Sequence, residues 1–212
     1  MTRARWLGAG AVLLAAIVTG AGVLSGRAPR AQAGPATTDL AIAPFQRDLV
    51  AIDGALEEPA WRGEVLRSGA FLRDDGAPAA PHTEARLGWR GARLFVALYA
   101  ADIDVESADR MRVEVATPSR AIAFEVAPRG GPEPPAGVTI ASEADEATVD
   151  DPRDRDEEWT AEAAIDLAAL GLRGAPGERV SIRLTRCDRA ADAERRCTSW
   201  RPAGGGITLG GS

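Results

Sequence analysis

Asp102, Asp104 and Glu106 are set two apart. On extended backbone, where side chains repeat every second residue, their carboxylates point the same way off a strand end and form a candidate set of metal-ligating oxygens. The same residues also suit a turn in which Asp102 caps backbone amides. The chain has two cysteines, Cys187 and Cys197. They flank the polar segment Asp188 to Arg196 between two strand-like runs. If the runs pair, the sulfurs meet across a hairpin and close a short loop worth about 2–3 kcal/mol. A metal site there needs two further ligands, and the chain holds one histidine, His82, so a structural disulfide is the better account. Catalysis asks for a nucleophile or base with an orienting partner. A lone loop histidine, a cysteine pair consumed as a disulfide and no nucleophile elbow nominate no such group, so the chain reads as a non-enzyme. Paired carboxylates of the glycosidase kind stay open, because acids are abundant throughout.

The stretch that must position these residues is Thr83 to Asp104. Ala85, Leu87 and Trp89 alternate with Glu84, Arg86 and Gly88, the pattern of a strand with one wet face. Arg90 to Arg93 supplies a glycine-bearing turn, and Leu94 to Ala101 is apolar on both faces, which predicts a hairpin ending in a central buried strand. Further strands are expected at Leu49–Ile52, irregularly within 64–72, and at Met111–Val115 and Ala121–Val126. A ragged one falls within Val138–Val149, and others at Val180–Leu184 and Cys197–Trp200. The glycine-rich tail supplies a last edge strand around Ile207 and Leu209. Trp159 to Leu172 reads as a strand to Ile165, then a short helical turn with Asp166 as N-cap and Gly171 as stop. Asp150 to Glu158 reads as a solvated acidic turn. Eight to ten short strands with polar turns and one short helix give an all-β fold, a two-layer antiparallel β-sandwich.

Composition narrows the partners. The 212 residues carry 25 basic and 31 acidic side chains, a net charge of −6. Residues 1–33 hold four arginines and no acid, so the body is more acidic still. Such a body repels phosphate backbones and excludes nucleic acid. Every basic residue is arginine, and the chain lacks lysine and asparagine. That removes lysine Schiff bases, lysine haem ligands and asparagine contacts to sugar hydroxyls. Thr2 to Arg5 is a basic start, residues 6–24 are an uncharged apolar run, and Ala31-Gln32-Ala33 fits a cleavage site. Residues 1–33 are therefore expected to be a signal peptide or membrane anchor. The predicted location is exported, periplasmic or extracellular, with inner-membrane attachment through residues 6–24 if the run is retained. Residues 34–44 read as a linker and 45–212 as the folded domain.

Several segments resemble one family. Ile52-Asp53-Gly54-Ala55-Leu56-Glu57-Glu58-Pro59-Ala60-Trp61 resembles the I-D-G-x-L-D-E-x-x-W opening of family 9-like carbohydrate-binding modules. Leu94-Phe95-Val96-Ala97 with Asp102-Ile103-Asp104, then Val113-Glu114-Val115 with Phe124-Glu125-Val126, follow the family's order. So do Glu158 to Ile165, Arg186-Cys187-Asp188 and Thr198-Ser199-Trp200. The resemblance spans about residues 45–201. It implies a DOMON-like β-sandwich without catalytic machinery that binds a polysaccharide or oligosaccharide, with glycan binding weak or lost. Sugar-binding members place one tryptophan before the strand that Met111 opens here and another after the S-W pair. This chain has Ser107 to Arg110 at the first place and no aromatic beyond Trp200. Trp61, Trp89 and Trp159 match structural positions, and Trp200 is the one tryptophan expected to face a ligand. Some members bind calcium, which makes Asp102, Asp104 and Glu106 candidate calcium ligands; Asp53 reads as a turn residue. Some DOMON-like domains carry haem through methionine and histidine, and His82 with Met111 is the only such pair after the leader. The alternatives to glycan binding are thus a cell-envelope interaction or accessory domain and a haem-carrying electron-transfer domain.

Overall fold

Period-2 alternation writes most of this molecule. The computed structural model describes residues 39–45, 50–63, 65–144, 149–151, 153, 155–188 and 196–211. The leader, including residues 6–24, lies outside the described residues. Eleven strands are described: β1 (Leu40–Ile42), β2 (Leu66–Arg67), β3 (Thr83–Arg90), β4 (Arg93–Ala101), β5 (Arg110–Ala116), β6 (Ala121–Val126), β7 (Val138–Ala144), β8 (Glu158–Asp166), β9 (Arg179–Asp188), β10 (Arg196–Trp200) and β11 (Gly206–Leu209). One helical turn, α1 (Pro59–Arg62), and a 3-10 turn at Leu167–Leu170 complete the elements. Asp166 accepts from the Ala168 amide and Gly171 turns left-handed (φ 78°), the expected cap and stop. Among the described residues, no helix is long and apolar enough to cross a membrane.

Two sheets face each other. One runs β2-β3-β4-β8-β7, all antiparallel. The other runs β1-β11-β9-β5-β6, with β10 beside the far half of β9. Its β1–β11 pair is parallel, the exception in an otherwise antiparallel sandwich. The expected architecture is therefore present, with corrections at its start. Strand β1 lies inside the stretch read as linker, and residues 50–52 of the expected 49–52 strand are not strand. The tail strand β11 is no edge, because β1 covers it. β1 also changes sheets: Ile42 lies beside Leu209, while the Phe45 amide donates to the Trp89 carbonyl of β3 (2.8 Å).

The inward phases close a continuous core. Ala85, Leu87 and Trp89 of β3, Leu94, Val96 and Leu98 of β4, and Trp159 to Ile165 at alternate positions of β8 face Val113, Leu184, Ile182 and Phe124 of the second sheet. Strand β4 is buried on both faces as its composition requires. Its outer residues Phe95 and Ala97 lie under a third layer, Phe45 with residues 50–63, whose Phe45 and Trp61 pack beside them. Phe45 meets Trp61 edge-on at 5.4 Å and Phe95 at 5.6 Å, geometries that aromatic quadrupoles favour. Gly88 makes this possible: a Cβ there would stand 2.2 Å from the Phe45 ring.

This roof is pinned by one carboxylate. Glu162 lies on the outer phase of β8 between Ala161 and Ala163 and is completely buried. Its Oε1 accepts from Trp61 Nε1 (2.6 Å) and its Oε2 from the amides of Asp53 and Gly54 (3.1 Å each). Gly54 (φ 101°) brings those amides close by lying where a Cβ would be 2.6 Å from the β7 backbone. Asp53 is a turn residue, its Oδ1 accepting from the Ala55 amide (3.0 Å). Removing a partner from buried donors costs about 1–3 kcal/mol each. Glu162→Ala should therefore lower unfolding free energy by at least about 3 kcal/mol in urea titrations, and Trp61→Phe by about 1–3 kcal/mol. A Glu162→Ala loss under about 1 kcal/mol would show that the roof is held by its apolar contacts alone.

Candidate functional site

Charge is concentrated at one end of the sandwich. In β9, Val180, Ile182, Leu184 and Arg186 all occupy the inward phase, so a guanidinium enters where three apolar residues precede it. Arg186 Nη2 donates to Asp102 Oδ2 (2.6 Å), and Nη1 to Thr83 Oγ1 (3.1 Å) and the Ala101 carbonyl (2.8 Å). Asp188 lies 3.9 Å from the same guanidinium, and oxygens of Asp102, Asp109 and Asp188 all lie within 4.8 Å of one another. Three carboxylates around one guanidinium leave an excess of negative charge. Burial, with Asp188 and Asp109 close by, pushes the Asp102 carboxyl up to about 7 against the pull of Arg186.

The alternating carboxylates separate here. Asp102 is buried and its Oδ1 accepts from the Asp104 amide (3.2 Å), closing a turn that breaks the alternation. Asp104 and Glu106 do not join the convergent group; Asp109 and Asp188 do. The acidic segment after residue 149 is also less solvated than its composition suggests. Asp156 is buried and accepts from the Val105 amide (2.6 Å), while Asp150 accepts from the Ser107 amide (2.8 Å). These two residues staple the 102–109 loop.

Cys187 and Cys197 sit opposite each other in the β9–β10 register and are joined by a disulfide. Trp200 pairs with the inward-facing Leu184, is half-buried, and packs against the core. Met111 is buried in the core. His82 is exposed, its ring 6.3 Å from Tyr99 and its Nε2 3.8 Å from Glu84. Haem ligation through His82 and Met111 would require the core to open.

Two clefts lie on the outer faces. One, of about 350 Å³, runs over β5, β6 and β9, with Glu114, Ser181, Arg183 and Arg201 around Ala121 and Ala123. The other, of about 340 Å³, lies beside the roof, where Ala55, Leu56 and Glu57 face Arg86, Tyr99, Glu143, Glu158 and Thr160. The Glu158 carboxylate beside the Tyr99 hydroxyl first, then burial, pushes the phenol up to about 12. Sequence reasoning assigned no role to Glu162, Arg186, Asp109 or Tyr99. Parity carried a signal for Arg186, which puts charge into an otherwise apolar phase of its strand; Glu162 shares its phase with Glu158, Thr160 and Asp166 and gave none.

No family model matches the chain, and no curated protein matches it. Solved structures do. A family 9 carbohydrate-binding module from Caldicellulosiruptor kristjanssonii in complex with cellotriose superposes with a TM-score of 0.62 at 15% identity, covering 82% of this chain and 95% of the module. A family 9 module from the same organism in complex with glucose gives 0.59 at 16% identity, over 81% and 96%. A candidate carbohydrate-binding protein from Bacteroides uniformis gives 0.56 at 12% identity, over 81% and 100%. The chain has the fold of the family 9 carbohydrate-binding modules.

The two raised carboxyls have a consequence in solution. Asp102 and Glu162 both hold protons more tightly folded than unfolded, Glu162 because burial pushes it up to about 7. Between the unfolded values (3.8 and 4.5) and about 7 the native state therefore binds more protons, so stability falls as pH rises through that window. Thermal melts should show Tm decreasing across it, with the slope reduced in Glu162→Gln. A Tm rising over the same range would mean both groups are ionised in the native state throughout.

Proposed function

We propose that this chain is an exported saccharide-binding module with no catalytic role. The observation that carries the reading is the match to 95% of a family 9 module in complex with cellotriose. Sugar recognition rests on an aromatic face stacked on C–H groups and on polar side chains that read hydroxyls. After the leader the chain has nine aromatic side chains, and only Tyr99 and Trp200 keep a substantial part of their surface in water. One of these two supplies the stacking face. Arg86, Glu143 and Glu158 are the polar readers beside Tyr99; the cleft over β5, β6 and β9 has no aromatic in its lining.

The disulfide supports an oxidising compartment, and the basic, apolar leader supports export, with residues 6–24 removed or kept as an anchor. The acidic surface argues against nucleic acid. Catalysis finds no footing: both cysteines are bonded together, and the one histidine is exposed beside Glu84. Calcium at the buried charged end would be held by Asp102, Asp109 and Asp188, where Arg186 already brings positive charge.

Isothermal titration with glucose, cello-oligosaccharides and xylo-oligosaccharides should give saturable binding, about millimolar to micromolar. Tyr99→Ala or Trp200→Ala should remove it while the far-UV spectrum stays that of a β protein. A folded protein that binds no saccharide of the panel would overturn the proposal.

A further inference from the structure

The floor of the Tyr99 cleft follows a transverse row of the first sheet, through Tyr99, Thr160 and Glu143, with Glu84 next in the row beyond its lining. Glu84 of β3 stands opposite Tyr99 of β4, Tyr99 opposite Thr160 of β8, and Thr160 opposite Glu143 of β7. Neighbouring strands are about 4.8 Å apart, so the two end carboxylates are carried on backbones about 14 Å apart with the phenol ring between them. Ala55, Leu56 and Glu57, the edge of the roof, form the wall.

The electrostatics are one-sided. Arg86 donates to Glu84 Oε1 (3.1 Å) and is balanced by it. Among the described residues, Glu57, Glu143 and Glu158 have no arginine partner. Glu158 instead stands beside Tyr99 and, with burial, keeps the ring a neutral phenol. Thr160 spends its hydroxyl on the Gly54 carbonyl (2.7 Å). What remains to a ligand is an aromatic face, one guanidinium, and three carboxylates. An acidic sugar is repelled there. A neutral sugar leaves carboxylates desolvated without a counter-charge, which costs binding energy. A ligand bearing an ammonium satisfies them and gains from the ring face.

Resting on the saccharide reading above, we propose that this cleft takes an amino sugar unit with a free amine. Its C–H face lies on Tyr99, its ammonium sits between Glu143 and Glu158, and Arg86 reads a hydroxyl.

The test titrates the full chain with fully deacetylated glucosamine trimer, its N-acetylated counterpart, cellotriose and a glucuronic acid oligomer. The deacetylated trimer should bind at least about fivefold tighter than the N-acetylated one, with an affinity that falls as salt is added. Glu143→Gln, a change at an exposed position, should erase that preference without shifting Tm, and Tyr99→Ala should remove binding. Equal affinity for the two trimers, or a preference that survives Glu143→Gln, overturns the inference. If cellotriose binding is lost in Trp200→Ala but kept in Tyr99→Ala, the saccharide reading stands and this cleft falls. If no saccharide binds, both fall.

Discussion

A single buried carboxylate governs how this sandwich presents its outer face. Glu162 meets three donors from a segment more than a hundred residues away in the chain, among them the Trp61 indole and two consecutive amides. Burying an ionisable group is expensive unless its hydrogen bonds are satisfied. The roof meets that condition only in one placement. Satisfying Glu162 therefore fixes where residues 50–61 lie, and with them the wall of the cleft beside Tyr99. The roof also covers Phe95 and Ala97, which would otherwise leave an apolar patch on the central strand.

The opposite arrangement holds the loop end. There the buried group is a cation, Arg186, and the chain brings carboxylates to it from the ends of several strands. The loops that carry Asp102, Asp109 and Asp156 are tied by backbone amides to carboxylates, with Val105 buried in the core between them. A small sandwich has two ends that its sheets cannot close. Here one is closed by charge.

Local pattern made most of the strands legible. The β3–β4 hairpin follows from strict alternation before Arg90 and two-faced apolarity after Arg93. The change from strand to 3-10 turn at Asp166 follows from a cap and a left-handed glycine stop. What escaped was non-local. β1 has three residues in a small, proline-bearing stretch and exists because β11 and β3 offer it partners on either side of its crossing. The roof has no regular pairing, and its position is set by Glu162 and by Phe45 over Gly88. Asp102, Asp104 and Glu106 looked coplanar only on the assumption of extended backbone, which the Asp102 turn ends. Charge at an inward position, as at Arg186, was visible in the sequence, but its partners lie in loops whose proximity no spacing rule encodes.

The parallel pairing of β1 with β11 carries a mechanical implication. The two strands run the same way, so tension applied at the beginning of β1 and the end of β11 pulls them past each other lengthwise. Their cross-links, including the Gly210 amide to the Ile42 carbonyl (2.7 Å), are then strained all together instead of parting one after another like a zip. Tugged between its two ends, the domain resists through its seam as a whole.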